Sequence, residues 1–192
     1  MEETENGYCR VKLANEISGF VPEVALRKRL DSDRFLWGKS EERFFVEQGI
    51  PKGWSEEKFR RKVVECAKGY LGCQYRWGGK AADGIDCSGV VFMVYLMNGV
   101  LIWRDSDIRE GYPMKAIWRE GEEMCLVEER AKAGDLLFWR GHVGMYLGDG
   151  RYLHCTGHER VFGCRVNSLR RGDEDFRKDL AEALKVVGSV FS

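Results

Sequence analysis

A cysteine stands in a setting that favours nucleophilic chemistry. Cys87 belongs to the segment Asp86-Cys87-Ser88-Gly89, between a glycine-rich passage and a continuous apolar run. If that run is a helix, the thiol lies at its N-terminus, where the helix dipole lowers a thiol pKa and free backbone N–H groups can hold an oxyanion. Cys87 is therefore predicted to be a nucleophile that reacts as its thiolate.

A thiolate nucleophile needs an imidazole that takes and returns its proton. The chain has three histidines, His142, His154 and His158, all in a region of predicted strands. A cysteine on a helix that faces two imidazoles on a sheet is the arrangement of a cysteine hydrolase. A free cysteine by itself is more often a buried structural residue. The prediction of a hydrolase therefore depends on Cys87 and the histidines together.

A second interpretation of the same region is a metal-binding redox protein. His154, Cys155, His158 and Cys164 could form a cluster, but their spacing matches no usual zinc pattern and the chain has no Cys-x-x-Cys pair. We therefore expect neither a metal nor an organic cofactor. The seven cysteines form an odd, irregularly spaced set, which favours free thiols over a disulfide framework.

Composition excludes several classes of protein. Lys and Arg number 31, as do Asp and Glu, so no basic field is available to bind nucleic acid. The longest apolar run, Val90 to Met97, has eight residues and is too short to span a membrane. The acidic start, Met1 to Glu5, is unlike a signal peptide, so we expect a cytoplasmic protein. If an N-terminal part is missing, the protein would instead be secreted or wall-associated.

The hydrophobic pattern predicts an α+β fold, with helices first and an antiparallel sheet afterwards. Helices are expected over 56–71, with Ser55 as N-cap and Gly72 as its end, over 87–97, and over 175–187. Strands are expected over 135–139, 142–147 and 151–156, the last two joined by a turn at Asp149-Gly150. The glycine-rich passage 77–84 and the segment 100–133 are predicted to be irregular.

Three regions are expected along the chain. Residues 1–27 predict two short strands with a turn at Ser18-Gly19, residues 28–54 a linker, and residues 55–192 the main domain.

The predicted turn raises a question of register. A plain two-residue turn at Asp149-Gly150 would pair Met145 with His154 and place His142 on the opposite face of the sheet. The catalytic interpretation therefore predicts a bulge or an odd-length loop between these strands.

Several motifs together resemble the NlpC/P60 family of cell-wall cysteine peptidases. They are Tyr75-Arg76-Trp77-Gly78-Gly79, Asp86-Cys87-Ser88-Gly89, Ala133-Gly134-Asp135-Leu136-Leu137-Phe138, His142-Val143-Gly144-Met145-Tyr146-Leu147-Gly148 and Tyr152-Leu153-His154. The resemblance covers roughly residues 56–190. It implies a papain-like fold in which Cys87 is the nucleophile, His142 the general base and His154 the orienting residue. It also implies that the Tyr75 hydroxyl lies near the nucleophile.

Within that family the chain is most similar to γ-D-glutamyl-L-diamino-acid endopeptidases that carry SH3-like domains. Arg104-Asp105-Ser106 and Val166-Asn167-Ser168-Leu169 carry this similarity, and Ser18 to Leu26 resembles the tail of an SH3-like domain. Residues 1–27 would then be a partial SH3-like segment.

The similarity implies substrate contacts at Asp86, Ser88 and Ser106, and we add Tyr75, Trp77, Arg104 and Asp105 as candidate substrate-binding residues. The expected substrates are peptidoglycan stem peptides or muropeptides. An amidase or acyltransferase with a different acyl donor, or a decayed wall-binding module, are the alternatives.

Overall fold

The computed structural model describes residues 2–12, 18–26, 50, 53–158 and 162–191. The chain divides into two compact units, Met1–Phe44 and Phe45–Ser192. The division falls inside the predicted linker 28–54, which lies outside the described residues apart from positions 50, 53 and 54.

The first unit contains a three-stranded antiparallel sheet. Its strands, in spatial as in chain order, are β1 (Glu2–Glu5), β2 (Tyr8–Lys12) and β3 (Ser18–Pro22), and a 3-10 turn follows at Glu23–Ala25. The expectation of two strands with a turn at Ser18-Gly19 was wrong, because these two residues begin β3. The turn between β1 and β2 is at Asn6-Gly7, where both residues have positive φ angles of 52° and 79°, as a type I′ hairpin requires. The SH3-like assignment stays a prediction.

Two helices precede the main sheet of the second unit. Helix α1 (Glu56–Lys68) begins where Ser55 Oγ accepts a hydrogen bond from Lys58 N–H, as predicted, but it ends at Gly69 rather than Gly72. A small hairpin, β4 (Lys80–Ala81) and β5 (Gly84–Ile85), occupies part of the passage expected to be irregular. Helix α2 (Cys87–Met97) has the predicted bounds and is buried along most of its length.

The main sheet has six strands, and every neighbouring pair is antiparallel. The strands are β6 (Lys115–Arg119), β7 (Leu136–Trp139), β8 (His142–Gly148), β9 (Arg151–Thr156), β10 (Gly163–Ser168) and β11 (Val186–Ser189). Their spatial order is β10-β9-β8-β7-β11-β6. Helices α3 (Cys125–Arg130) and α4 (Lys178–Glu182) complete the second unit. The α+β prediction is confirmed.

Two predicted segments differ from the structure. The C-terminal helix covers only Lys178–Glu182, because the β-branched residues Val186 and Val187 that follow form β11 between β7 and β6. The segment 100–133, expected to be irregular, contains β6 and α3. The two strands were missed for one reason, since β6 and β11 obtain their hydrogen bonds from strands distant in sequence.

The sheet buries apolar side chains on both faces. Helix α2 packs on β8 and β9. An aromatic cluster that includes Trp118, Trp139 and Tyr152 is packed against Leu126 and Leu180 from α3 and α4. This aromatic cluster lies beside two candidate catalytic residues, His142 and His154. The centre of the Trp139 ring is 5.5 Å from that of the His142 ring, and the centre of the Tyr152 ring is 5.2 Å from that of the His154 ring.

The register of β8 and β9 contains the predicted irregularity. Gly148 pairs with Arg151, but the next pair is Tyr146 with Tyr152, so Leu147 is an unpaired extra residue. Asp149 and Gly150 form the turn with φ angles of 53° and 75°. Beyond the bulge, Gly144 rather than Met145 lies opposite His154. His142, two residues before Gly144, therefore projects from the same face of the sheet as His154.

Two buried tyrosines give a matched test of this core. The Tyr95 hydroxyl donates to the Gly134 carbonyl at 2.6 Å, whereas the buried Tyr152 hydroxyl has no hydrogen-bond partner among the described residues. Tyr95→Phe should lower the free energy of unfolding by about 1–2 kcal/mol, because it leaves a buried carbonyl without its donor. Tyr152→Phe should be neutral or stabilising. Urea unfolding measures the free energy of unfolding of both variants. A larger loss in Tyr152→Phe than in Tyr95→Phe would contradict the hydrogen bonding described for the two hydroxyls.

Candidate active site

A buried ionic network fixes the start of α2. Asp86 is its N-cap, and its Oδ1 accepts hydrogen bonds from Gly89 N–H at 2.6 Å and from Ser88 Oγ–H at 3.3 Å. Its Oδ2 accepts from Gly78 N–H at 2.7 Å and from the Arg104 guanidinium at 3.1 Å. Arg104 also donates to Ser88 Oγ and to the Gly79 carbonyl. The network therefore ties the glycine-rich loop, α2 and the segment after α2 together next to Cys87.

Glycine is required where this loop crosses α2. A Cβ atom at Gly89 would lie 2.3 Å from the Gly79 carbonyl oxygen, and one at Gly79 would lie 2.3 Å from the Gly84 carbonyl oxygen. Neither backbone oxygen can move away as a flexible side chain could. These close approaches hold the loop over the first turn of the helix that carries Cys87.

Cys87 lies at the N-terminus of α2, as predicted, but its side chain is only 8% exposed. Burial raises the pKa of its thiol, and hydrogen bonds from the backbone N–H groups of Val143 and Ser88 oppose that rise without outweighing it. The expectation of a thiolate in the resting protein was therefore wrong. Loss of hydration destabilises the thiolate by more than the helix N-terminus stabilises it.

The contact with Val143 brings the sulfur to the sheet. The β8–β9 ladder runs from Gly148–Arg151 to Gly144–His154, and Val143 lies one residue beyond its end. Its backbone N–H lowers the pKa of the Cys87 thiol, which places this N–H beside the sulfur. The nucleophile therefore reaches β8 at the residue next to His142.

His142, His154 and Asn167 form a chain of hydrogen bonds on one face of the sheet. His142 Nε2 is 2.7 Å from His154 Nδ1, and His154 Nε2 is 3.0 Å from Asn167 Oδ1. Asn167 in turn donates to the Asp175 carbonyl at 2.9 Å, which orients its amide. With Asn167 Oδ1 as the acceptor, His154 Nε2 carries the proton and Nδ1 accepts from His142 Nε2–H. Nδ1 of His142 is then the ring nitrogen that can accept a proton from a thiol.

Gly144 makes room for this chain. It lies opposite His154, and a Cβ atom there would be 2.9 Å from the Leu153 carbonyl oxygen, 3.2 Å from the His154 Cβ and 3.4 Å from the Trp139 ring. Any side chain at this position would enter the space between the two imidazoles and Trp139. The glycine is thus required by close approach, although its own φ is not positive.

The two histidines are held in their neutral form. Burial is the main cause, and it lowers the pKa of His142 to about 3 and that of His154 to about 4. The positive charge of Arg177 lowers both further, and Arg165 lowers that of His154. The resting site therefore contains a protonated thiol and two neutral imidazoles rather than an ion pair.

The candidate substrate-binding residues fall into two groups. Asp86, Ser88 and Arg104 are buried and bonded to one another, so their observed contacts are internal.

The remaining four candidates are at or near the surface: Tyr75, Trp77, Asp105 and Ser106. Burial raises the pKa of the Tyr75 phenol, and interactions with the side chains of Cys87 and Asp86 raise it further, which places the phenol in their vicinity. Trp77 is 87% exposed. Substrate contact stays a prediction for all seven.

Sequence reasoning missed two residues of the site. Asn167 was noted only within a motif, and its function as the hydrogen-bond partner of His154 depends on β10 pairing with β9. Arg177, whose charge acts on both histidines, comes from the segment before α4. A strand prediction for 163–168 would have pointed to Asn167, whereas no local pattern identifies Arg177.

Two further kinds of feature are absent from the described part of the chain. No group of three or more His, Cys, Asp or Glu side chains there could hold a metal ion. Among those same residues, no helix has the length and apolar character to cross a membrane.

Comparison with known proteins identifies the family. The model of the NlpC/P60 family matches residues 72–172, more than half of the chain, and this range includes Cys87, His142, His154 and Asn167. The chain belongs to the NlpC/P60 family.

Curated relatives of this NlpC/P60 chain are named as peptidases, in agreement with the predicted cysteine-type hydrolase. The chain is 44% identical over 139 residues to dipeptidyl-peptidase 6 of Lysinibacillus sphaericus, covering 72% of this chain and 47% of the relative. It is 36% identical over 119 residues to the gamma-D-glutamyl-L-lysine dipeptidyl-peptidase of Bacillus subtilis, covering 57% of this chain and 37% of the relative. It thus spans less than half the length of these relatives.

Solved structures agree with the family and confirm the papain-like fold. The peptidoglycan hydrolase RipB of Mycobacterium tuberculosis is 25% identical with a TM-score of 0.52, over 71% of this chain and 66% of RipB. An NlpC/P60 family protein from Bacillus cereus, 21% identical, has the same fold with a TM-score of 0.53 over 96% of this chain and 51% of its own.

The neutral resting site predicts an order of alkylation. The pKa of the thiol is raised at both Cys87 and Cys125, but Cys125 is exposed and Cys87 is buried, so iodoacetamide at pH 8 should modify Cys125 first. Labelling of Cys87 should increase only at a pH above the range in which an ordinary thiol ionises. Mass spectrometry of the tryptic peptides 81–104 and 120–130 separates the two sites. Preferential labelling of Cys87 at pH 6 would show that the thiolate is present after all.

The buried histidines also predict acid sensitivity of the fold. An unfolded histidine has a pKa near 6.5, so between about pH 6.5 and 4 the unfolded chain binds protons that the folded chain does not. Stability is therefore complete above pH 6.5 and falls as the pH decreases through this window. From pH 7 to pH 5 the wild type should lose roughly 2 kcal/mol more than His154→Gln in urea unfolding. An equal loss in both proteins would contradict the neutral, buried assignment.

Proposed function

We propose that this protein is a cysteine endopeptidase that hydrolyses the bond between γ-D-glutamate and the diamino acid of peptidoglycan stem peptides. The observation that carries the proposal is the combination of Cys87 at a helix N-terminus with the His142–His154–Asn167 chain at the adjoining end of β8. The bond is suggested by the names of the relatives and by the Arg104-Asp105-Ser106 motif.

In the proposed reaction His142 acts first as a base. It accepts the thiol proton of Cys87 through Nδ1 while the sulfur attacks the γ-carbonyl carbon of D-glutamate. The resulting imidazolium is stabilised by its hydrogen bond to His154, which Asn167 holds in one orientation. Because both groups are neutral at rest, the proton transfer accompanies attack instead of preceding it.

The developing oxyanion requires backbone donors. The first N–H groups of a helix have no partner within the helix, but Gly89 N–H is bonded to Asp86 and Ser88 N–H to the sulfur of Cys87. The N–H of Cys87 is thus the donor we assign to the oxyanion. The Asp86–Arg104 network keeps this first turn in place.

Completion of the cycle returns the enzyme to its starting state. His142 gives its proton to the amine of the departing diamino acid, which leaves D-glutamate bound to Cys87 as a thioester. Water then loses a proton to His142 and attacks the thioester, and the thiolate released by its collapse takes that proton back.

The experiment is mass spectrometry of L-Ala-γ-D-Glu-diaminopimelate, and of its lysine counterpart, after incubation with the protein. Wild type should release L-Ala-D-Glu and the free diamino acid, whereas Cys87→Ala should reduce the rate by at least about 10³-fold. Cys66→Ala, in a half-buried cysteine of α1, serves as control and should keep full activity.

Other outcomes decide against the proposal. If wild type and Cys87→Ala are equally inactive on both peptides, the endopeptidase assignment fails. Transfer of the acyl group to an added amine in place of hydrolysis would identify an acyltransferase on the same fold.

A further inference from the structure

Two cysteines outside the proposed catalytic group lie opposite each other in the sheet. Cys155 on β9 is paired directly with Cys164 on β10 in the antiparallel ladder. Cys155 is fully buried and Cys164 is 5% exposed. Their side chains project from the same face of the sheet, and the Cys155 thiol raises the pKa of the Cys164 thiol, which places the two sulfurs near each other.

The hydrogen bonds of the backbone show which kind of pair this is. Cys164 N–H donates to the Cys73 carbonyl at 2.9 Å, and the Cys164 carbonyl accepts from Gly72 N–H at 3.0 Å. Both polar groups of Cys164 therefore point away from β9, so the pair occupies a non-hydrogen-bonded position of the ladder. At such positions Cα atoms are about 4.5 Å apart, within the range of about 4.4–6.8 Å that a disulfide spans.

We propose that Cys155 and Cys164 are a redox-active pair, which a low-molecular-weight disulfide such as oxidised glutathione converts into a disulfide between β9 and β10.

The proposed oxidation proceeds by two exchanges. In the closed sheet the Cys155 thiol and burial raise the pKa of Cys164, so its thiolate forms when β10 opens locally and water reaches the sulfur. That thiolate attacks the donor disulfide and releases one donor thiol. The thiolate of Cys155 then attacks the mixed disulfide and releases the second. Two protein thiols are oxidised and one donor disulfide is reduced to two thiols, so electrons and protons balance. Because β10 is an edge strand of the main sheet, its local opening gives access to the sulfur.

Oxidation would remove a hydrogen bond next to the nucleophile. The reduced Cys155 thiol donates to the Ile85 carbonyl at 3.2 Å, and Ile85 directly precedes the N-cap Asp86. A disulfide sulfur has no proton to donate, so the buried Ile85 oxygen keeps only its backbone hydrogen bond from Arg76 N–H at 3.0 Å. The oxidised protein should therefore be less active at Cys87. This consequence for activity rests on the proposed function, whereas the disulfide itself does not.

The test maps the disulfide directly. The full chain is equilibrated in glutathione buffers of increasing oxidised fraction, quenched with acid, alkylated and digested with trypsin without reduction. Cleavage after Arg151, Arg160 and Arg165 places the two cysteines on separate peptides, 152–160 and 161–165. We expect these peptides to become linked as the oxidised fraction rises, and reduction to separate them again.

Cys164→Ser is the matched variant, because it prevents the disulfide and keeps the Cys155 donor to Ile85. Hydrolysis by wild type should fall with the linked fraction and recover on reduction, while Cys164→Ser should keep its rate in every buffer. If the peptides are linked but hydrolysis is absent throughout, the disulfide assignment stands and the proposed function fails.

Three outcomes would overturn the proposal: both thiols alkylated in the most oxidising buffer, Cys164 carrying only glutathione, or peptide 161–165 linked to peptide 69–76, which contains Cys73. Linkage of Cys155 to Cys164 with unchanged hydrolysis would overturn its consequence for activity.

Discussion

One unpaired residue in a strand decides whether this site exists. Leu147 has no partner in β9, and this single bulge shifts the pairing so that Gly144 faces His154. Because side chains alternate along a strand, the shift places His142 on the same face as His154. The 2.7 Å contact between the two imidazoles, and through it the link to Asn167, depends on that shift.

The second constraint is burial. Cys87, His142 and His154 lie where the charged forms of all three are disfavoured, and the pKa shifts follow the signs that desolvation dictates, upward for the thiol and downward for the imidazoles. A neutral resting site avoids the cost of holding an uncompensated charge in the core.

Polar contacts with residues distant in sequence fix the positions of the reacting groups. Arg104 joins Asp86 from the segment after α2, and Asn167 joins His154 from β10. Asp86 and His154 thus each have a hydrogen-bond partner from another element. Pairing of β9 with β10 likewise places Cys155 opposite Cys164, so that two thiols that can be oxidised lie side by side.

The sequence by itself determined the local parts of this protein. The apolar run after Asp86 determined α2, Ser55 determined the start of α1, and Asp149-Gly150 determined the turn between β8 and β9. The catalytic interpretation needs His142 and His154 on one face of the sheet, and it therefore predicted the bulge between β8 and β9. These features follow from interactions between residues close in sequence, which a pattern reveals.

Only the tertiary structure decided the protonation state of the site and the identity of its most distant members. The helix dipole predicted a thiolate at Cys87. Burial raises the pKa of this thiol instead, and that burial comes from the elements packed around Cys87. β6, β10 and β11 were not predicted, because their hydrogen bonds come from strands that only the folded sheet brings alongside. Asn167 and Arg177 were missed for the same reason, since a partner across a sheet has no fixed spacing in the sequence.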